Sequence, residues 1–161
     1  VEPEVDGRIE ILYEDEALVI VSKPAGLPVH PGGRFHRNTL TYLLGQAYRH
    51  EKLRLAHRLD AETSGVVVLT RKQAYAAPVQ KQFHQCQVSK LYLALVQGHP
   101  SWTQCQCDEP ISTSKQERGM RTIDPTGSAS QTEFEVLQLL DGPTALVAAK
   151  PTTGRTNQIR I

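Results

Sequence analysis

A chain of 161 residues and 17.9 kDa, 39% hydrophobic and 22% charged, has the size of one ordinary domain with enough apolar content for a core. Eighteen basic residues against 17 acidic ones leave a net charge of +1, which excludes a protein held to nucleic acid by bulk charge, so any such contact is local. The longest apolar stretches, residues 65–69 and 145–149, fall far short of the about 18 residues that a membrane-spanning helix takes. The start VEPEVDGRIE is acidic and polar, unlike a signal peptide, and a reducing, cytoplasmic setting is expected. Three cysteines, Cys86, Cys105 and Cys107, are an odd number and too few for a disulfide framework. The C-Q-C pair has no second cysteine or histidine pair nearby, so free, partly buried thiols are expected and no metal site.

Residues 1–8 read as a linker or N-terminal extension. Residues 9–13 (IEILY) and 17–21 (ALVIV) are short β-rich runs around Glu14-Asp15-Glu16, the pattern of an antiparallel hairpin. Residues 23–37 hold Pro24, Gly26, Pro28, Pro31, Gly32 and Gly33, which break both helix and ladder and predict a long irregular segment. Asn38 and Thr39 are N-cap candidates for a helix with Leu40, Leu43, Leu44 and Ala47 on one face, ending near residues 48–51. Two extended runs, 53–59 and 65–70, flank the polar corner Asp60-Ala61-Glu62-Thr63-Ser64, and a helical stretch over 72–85 is interrupted by Pro78. Residues 88–96 alternate as a strand, residues 99–128 read as irregular connections with short strands, and 131–140 with 144–150 form a hairpin around Asp141-Gly142. At the end of the chain, residues 154–160 read as a turn opening into a helix, so a fragment lacking its closing elements is expected. Many strands with two or three helices and no regular alternation make an α+β domain, its sheet mixed or largely antiparallel and flanked by helices.

Three clusters could carry chemistry. In HRLDAETSG (57–65) a strand-end corner exposes Asp60 while the flanking runs hold the backbone, a suitable seat for a reactive carboxylate. The same residues fit a plain Asx or Ser/Thr turn with Arg58 as a solvated partner, and spacing does not choose between the two. In the strand over 88–96, Lys90 and Tyr92 share a face, where a ring could stack on a base while the cation meets a phosphate; a half-buried strand tyrosine is the plainer reading. Residues 154–160, with Arg155, Arg160, an amide pair and a glycine turn, could bind an anion or pin a carboxylate, or could simply cap a helix. The proline-stiffened loop from Lys23 adds a cationic segment.

Taken in order, KPAGLPVHP (23–31), HRLDAETSG (57–65), KLYLALVQG (90–98) and TGRTNQIRI (153–161) resemble the motifs of the RluA branch of the pseudouridine synthases. These are N-K-P-x-G-x-x-x-H, H-R-L-D-x-x-T-S-G, K-x-Y-x-A-x-V-x-G and T-G-R-T-H-Q-I-R-x, and the matched ground covers residues 10–161. Ser22 stands where the family often has Asn, and Asn157 replaces the usual His, which puts a proton-relay role there in doubt. The family's C-terminal segment, with the apolar residue that closes over the target base, lies beyond Ile161.

The resemblance implies a pseudouridine synthase fold over residues 9–161 with a long active-site cleft, and an isomerase that converts uridine in RNA to pseudouridine without a cofactor. It implies Asp60 as the carboxylate beneath the sugar, Arg160 as its ion-pair partner and Tyr92 as the ring against the uracil. His57, Arg58, Lys23, Lys90 and Arg155, with Arg34 and Arg37, are the expected RNA contacts. The implied partner is RNA, ribosomal or transfer, with messenger RNA also open; no membrane is involved and a monomer is expected. The alternatives are a non-catalytic RNA-binding module on the same scaffold and an Asp60-dependent nucleoside hydrolase, for which Glu62 is the nearest second carboxylate.

Overall fold

The computed structural model describes residues 1–49, 51–114 and 120–161, and the chain falls into two compact units, Val1–Gln87 and Val88–Ile161. Each holds a four-stranded sheet in which every pairing among the described residues is antiparallel.

The first unit is built on β1 (Glu10–Glu14), β2 (Leu18–Lys23), α1 (Leu40–Ala47), β3 (Arg54–Leu55), β4 (Gly65–Thr70) and α2 (Gln73–His84), with strand order β1-β2-β4-β3. The alternation in β2 and β4 turns one apolar row inward: Val19 pairs with Leu69 and Val21 with Val67, and all four are buried. Thr39 caps α1, its hydroxyl accepting the Tyr42 N–H, and Leu40 and Leu44 complete the core. Arg71, just past β4, donates to both carboxylate oxygens of Glu51, to Glu14 and to the Asp15 carbonyl, tying the β1–β2 turn to the connection between α1 and β3. Two elements differ from expectation. The run 53–59 is a strand only over Arg54–Leu55, because residues from Ala56 onward turn into the corner. Pro78 does not interrupt α2, because both it and Ala74, whose carbonyl it leaves without a helix donor, face solvent.

The second unit contains β5 (Tyr92–Gln97), β6 (Gln104–Cys107), β7 (Thr132–Leu140) and β8 (Thr144–Pro151) in the order β5-β8-β7-β6. Small residues on β8 (Ala145, Val147, Ala149) lie opposite Val96, Ala94 and Tyr92 of β5 and are buried. The expected β7–β8 hairpin turns at Gly142, whose φ of 79° lies in the left-handed region a glycine adopts without strain. β5 begins at Tyr92 rather than residue 88, so Lys90 precedes the strand. Cys105 and Cys107 are free thiols, both half-buried on β6, and burial pushes the Cys105 thiol up, with Cys107 adding to the shift.

Candidate active site

In the first unit the corner between β3 and β4 is held from three sides. The Ala56 N–H reaches the Val68 carbonyl at 2.9 Å, the Val68 N–H donates to His57 Nε2 at 3.2 Å, and the His57 ring stacks on Phe83 of α2 at 4.3 Å. Leu59 is buried beneath the corner. Its tip is a backbone turn in which the Thr63 N–H donates to the Asp60 carbonyl at 3.1 Å, and Asp60 stands half-buried on it. Arg58 and Glu62 are exposed.

Beneath the tip lies Lys23, 0% exposed at the end of β2. Its Nζ donates to the carbonyls of Pro24 (2.8 Å), Leu27 (2.8 Å) and Ala61 (3.0 Å), and the Ala61 carbonyl also takes the Gly26 N–H at 2.8 Å. The loop can present two carbonyls to one ammonium because Pro24 and Pro28 stiffen it and Gly26 turns it at a φ of 80°. Leu27 and Val29 bury themselves beside it, and the Leu40 and Thr41 N–H groups tie it to α1 through Pro28 and Val29. Burial lowers the Lys23 pKa to about 8, while the Glu62 and Asp60 carboxylates work in the opposite direction. Expected among the RNA contacts, Lys23 instead faces inward, because three carbonyls offer its donors a dry seat; it puts positive charge behind Asp60 and Glu62. His57, expected in the same role, holds the corner to α2.

The second unit carries Tyr92, half-buried opposite Ala149, and the turn after β8. Gln158 organises that turn. Its Oε1 accepts from the Thr153 hydroxyl (2.9 Å) and the Arg155 N–H (2.8 Å), and its Nε2 donates to the Gln131 carbonyl (3.0 Å) and the Thr132 hydroxyl (2.9 Å). Lys90 donates to the carbonyls of Thr153 (2.7 Å) and Thr152 (3.3 Å), and Arg155 Nε to the Ala129 carbonyl at 2.8 Å. These two cations, expected on RNA, brace the turn. Residues 156–160 are turns rather than a starting helix, since Asn157 sits at a φ of 60° and its carbonyl takes the Arg160 N–H at 2.8 Å. Asn and His are both residue types enriched in that left-handed region, which accounts for the exchange at this position on backbone grounds. Arg160 is exposed.

The seat of Lys23 and the role of Gln158 were missed from sequence. A Lys-Pro-x-Gly run and a lone Gln in a Gly-Arg-Thr segment give no sign of direction, and only their motif membership marked them. Among the described residues no group of three or more His, Cys, Asp or Glu side chains is arranged to hold a metal ion, and no helix is long and apolar enough to cross a membrane.

Comparison with known proteins supplies the family. The sequence profile of the family described as RNA pseudouridylate synthase matches residues 17–161. The chain is 37% identical to the human pseudouridylate synthase RPUSD2 over 161 residues, 99% of this chain, but spans only 29% of that protein's length. It is 34% identical to the dual-specificity RNA pseudouridine synthase RluA of Escherichia coli (strain K12), covering 99% of this chain and 73% of that one. The solved structure of human RNA Pseudouridylate Synthase Domain Containing 1 superimposes with a TM-score of 0.80 at 28% identity, over 100% of this chain and 66% of that chain. With the match running from β2 to the last residue, the chain belongs to the RNA pseudouridylate synthase family.

Proposed function

We propose that the protein isomerises specific uridines in ribosomal or transfer RNA to pseudouridine, with Asp60 as nucleophile. The observation that carries this reading is Asp60 on the tip of a corner fastened by a buried ammonium, within the HRLDAETSG segment that resembles the family's H-R-L-D-x-x-T-S-G motif. In the reaction the Asp60 carboxylate attacks C1′ and the C1′–N1 bond breaks, leaving its electron pair on uracil, as in a retaining glycosidase. The detached uracil turns, C5 attacks C1′ and displaces the carboxylate, and C5 then loses its proton while N1 gains one. Atoms and electrons balance without a cofactor. The Lys23 ammonium sits beneath the corner and donates to the carbonyl of Ala61, the residue after Asp60. Tyr92 serves as the platform for the uracil and takes part in the late proton transfer. The target uridine leaves its stack to reach Asp60, at a cost of a few kcal/mol that is least in a loop.

Tritium release from RNA labelled at uracil C5, measured on the full-length protein, tests this directly. Asp60→Ala is expected to lower release by at least about 10³-fold with RNA binding retained. Tyr92→Phe should bind RNA as the parent does and turn over slowly; full activity would remove the proton-transfer role. Free uracil among the products would point to a hydrolase, and binding by the parent without release on any RNA to a non-catalytic module.

A further inference from the structure

From Ala17 to Arg49 the sequence holds Lys23, Arg34, Arg37 and Arg49 and not one Asp or Glu, in a chain whose net charge is only +1. Lys23 is buried, but Arg34, His36 and Arg37 are exposed on the loop that leads into α1. A carboxylate nevertheless sits there, brought from the start of the chain. Glu2 Oε1 accepts the N–H groups of His36 (2.6 Å) and Asn38 (2.7 Å), and Oε2 accepts that of Arg37 (3.1 Å). The Asn38 side-chain amide holds the Pro3 carbonyl at 2.6 Å beside it. Partial burial raises the Glu2 pKa, but the three amides and the His36 ring outweigh it and hold the carboxyl below its ordinary range.

Three consecutive amides converging on one carboxylate, in a loop that also exposes Arg34, His36 and Arg37, offer the donor pattern of a phosphate site. The anion found in it comes from residues that read as a linker, 34 positions from the nearest of those amides. Arg8 and Asp6, farther along that segment, pair with each other in solvent, a contact worth little. The same loop, in its first half, carries Lys23 and the carbonyls that brace the Asp60 corner.

We propose that residues 34–38 contact a backbone phosphate of the RNA substrate, and that Glu2 fills this seat in the RNA-free protein and leaves it when RNA binds. The inference rests on the RNA-isomerase reading above. It makes the segment around Glu2 a built-in competitor of the substrate: affinity is set by an exchange of one anion for another.

The test uses the full-length protein with a fluorescein-labelled, uridine-containing RNA hairpin, read by anisotropy at fixed salt, with hydrogen exchange across residues 34–40. Glu2→Gln, which keeps the shape and removes the charge, should tighten binding about 3- to 10-fold and speed exchange of the 36–38 amides, with RNA restoring their protection. The double variant Arg34→Ala, Arg37→Ala, at exposed positions, should weaken binding by a similar factor and make the slope of log affinity against log salt shallower by about one to two. Unchanged or weaker binding by Glu2→Gln, together with 36–38 amides that RNA does not protect, would overturn the proposal and leave Glu2 as a structural clip. If the parent binds and isomerises RNA while neither variant changes affinity, this inference alone falls. If the parent does neither, the isomerase reading falls with it.

Discussion

Lys23 carries a cation into a fully buried position and directs it at carbonyl oxygens of its own loop and of the Asp60 corner. Replacing it with Met leaves the Pro24 and Leu27 carbonyls without that donor, so Lys23→Met is expected to lose about 1–3 kcal/mol in urea denaturation. The pH dependence has a definite sign. Burial lowers the folded-state pKa from 10.5 to about 8, so between those values the unfolded chain binds more protons and the contribution of Lys23 to stability rises with pH. The variant lacks this rise. The gap between parent and variant should therefore be flat below about pH 7 and widen from about pH 8 to about pH 10, and a narrowing gap would show that the ammonium is not desolvated. The identity of this lysine was legible through the Lys-Pro-x-Gly run, but its direction was not: a cation in a proline-rich loop reads as exposed until a ring of carbonyls is assembled around it. Asn157 is the reverse case, a departure that looks chemical along the chain and is accounted for by a φ of 60°.

Helix α2 ends in a Schellman arrangement: the Gln87 N–H reaches the Gln82 carbonyl at 2.9 Å and the Cys86 N–H the Phe83 carbonyl at 3.2 Å. The left-handed residue this needs is Cys86, at a φ of 56°, where glycine is the usual occupant. Cys86→Gly is therefore expected to stabilise the protein by about 0.5–1 kcal/mol, the relief of the Cβ contact exceeding the added freedom of the unfolded chain, as read by thermal denaturation. Among the other elements, both hairpins and the capped helix α1 were visible in the sequence, because alternation of period two, a Ser/Thr-type cap and an Asp-Gly turn are short-range signals. The end of β3 and the start of β5 were not. Where pairing stops depends on the neighbouring strand, and β4 pairs with β3 only at Arg54 and Leu55 while β8 pairs with β5 only from Tyr92.

At the scale of the molecule, nearly balanced charge means that the RNA contact proposed above would fall to local patches rather than to the whole surface. Affinity for RNA is therefore expected to fall with added salt, about tenfold or more between 50 and 200 mM, with the slope counting the phosphates met; a flat dependence would exclude a phosphate-tracking surface. The two units divide the expected site residues: Lys23, His57, Arg58 and Asp60 belong to the first, and Lys90, Tyr92, Arg155 and Arg160 to the second. Along the chain alone, the family, the α+β class and the candidate aspartate could all be read, because motif order and hydrophobic period are properties of neighbours in sequence. Folding decided the rest: that Lys23 turns inward to Ala61, 38 residues away, that Gln158 fastens its turn to Gln131, 27 residues away, and that Glu2 occupies the amides of residues 36–38. A buried polar group takes whichever partner the tertiary structure brings within about 3 Å, and no local pattern of residues specifies that partner.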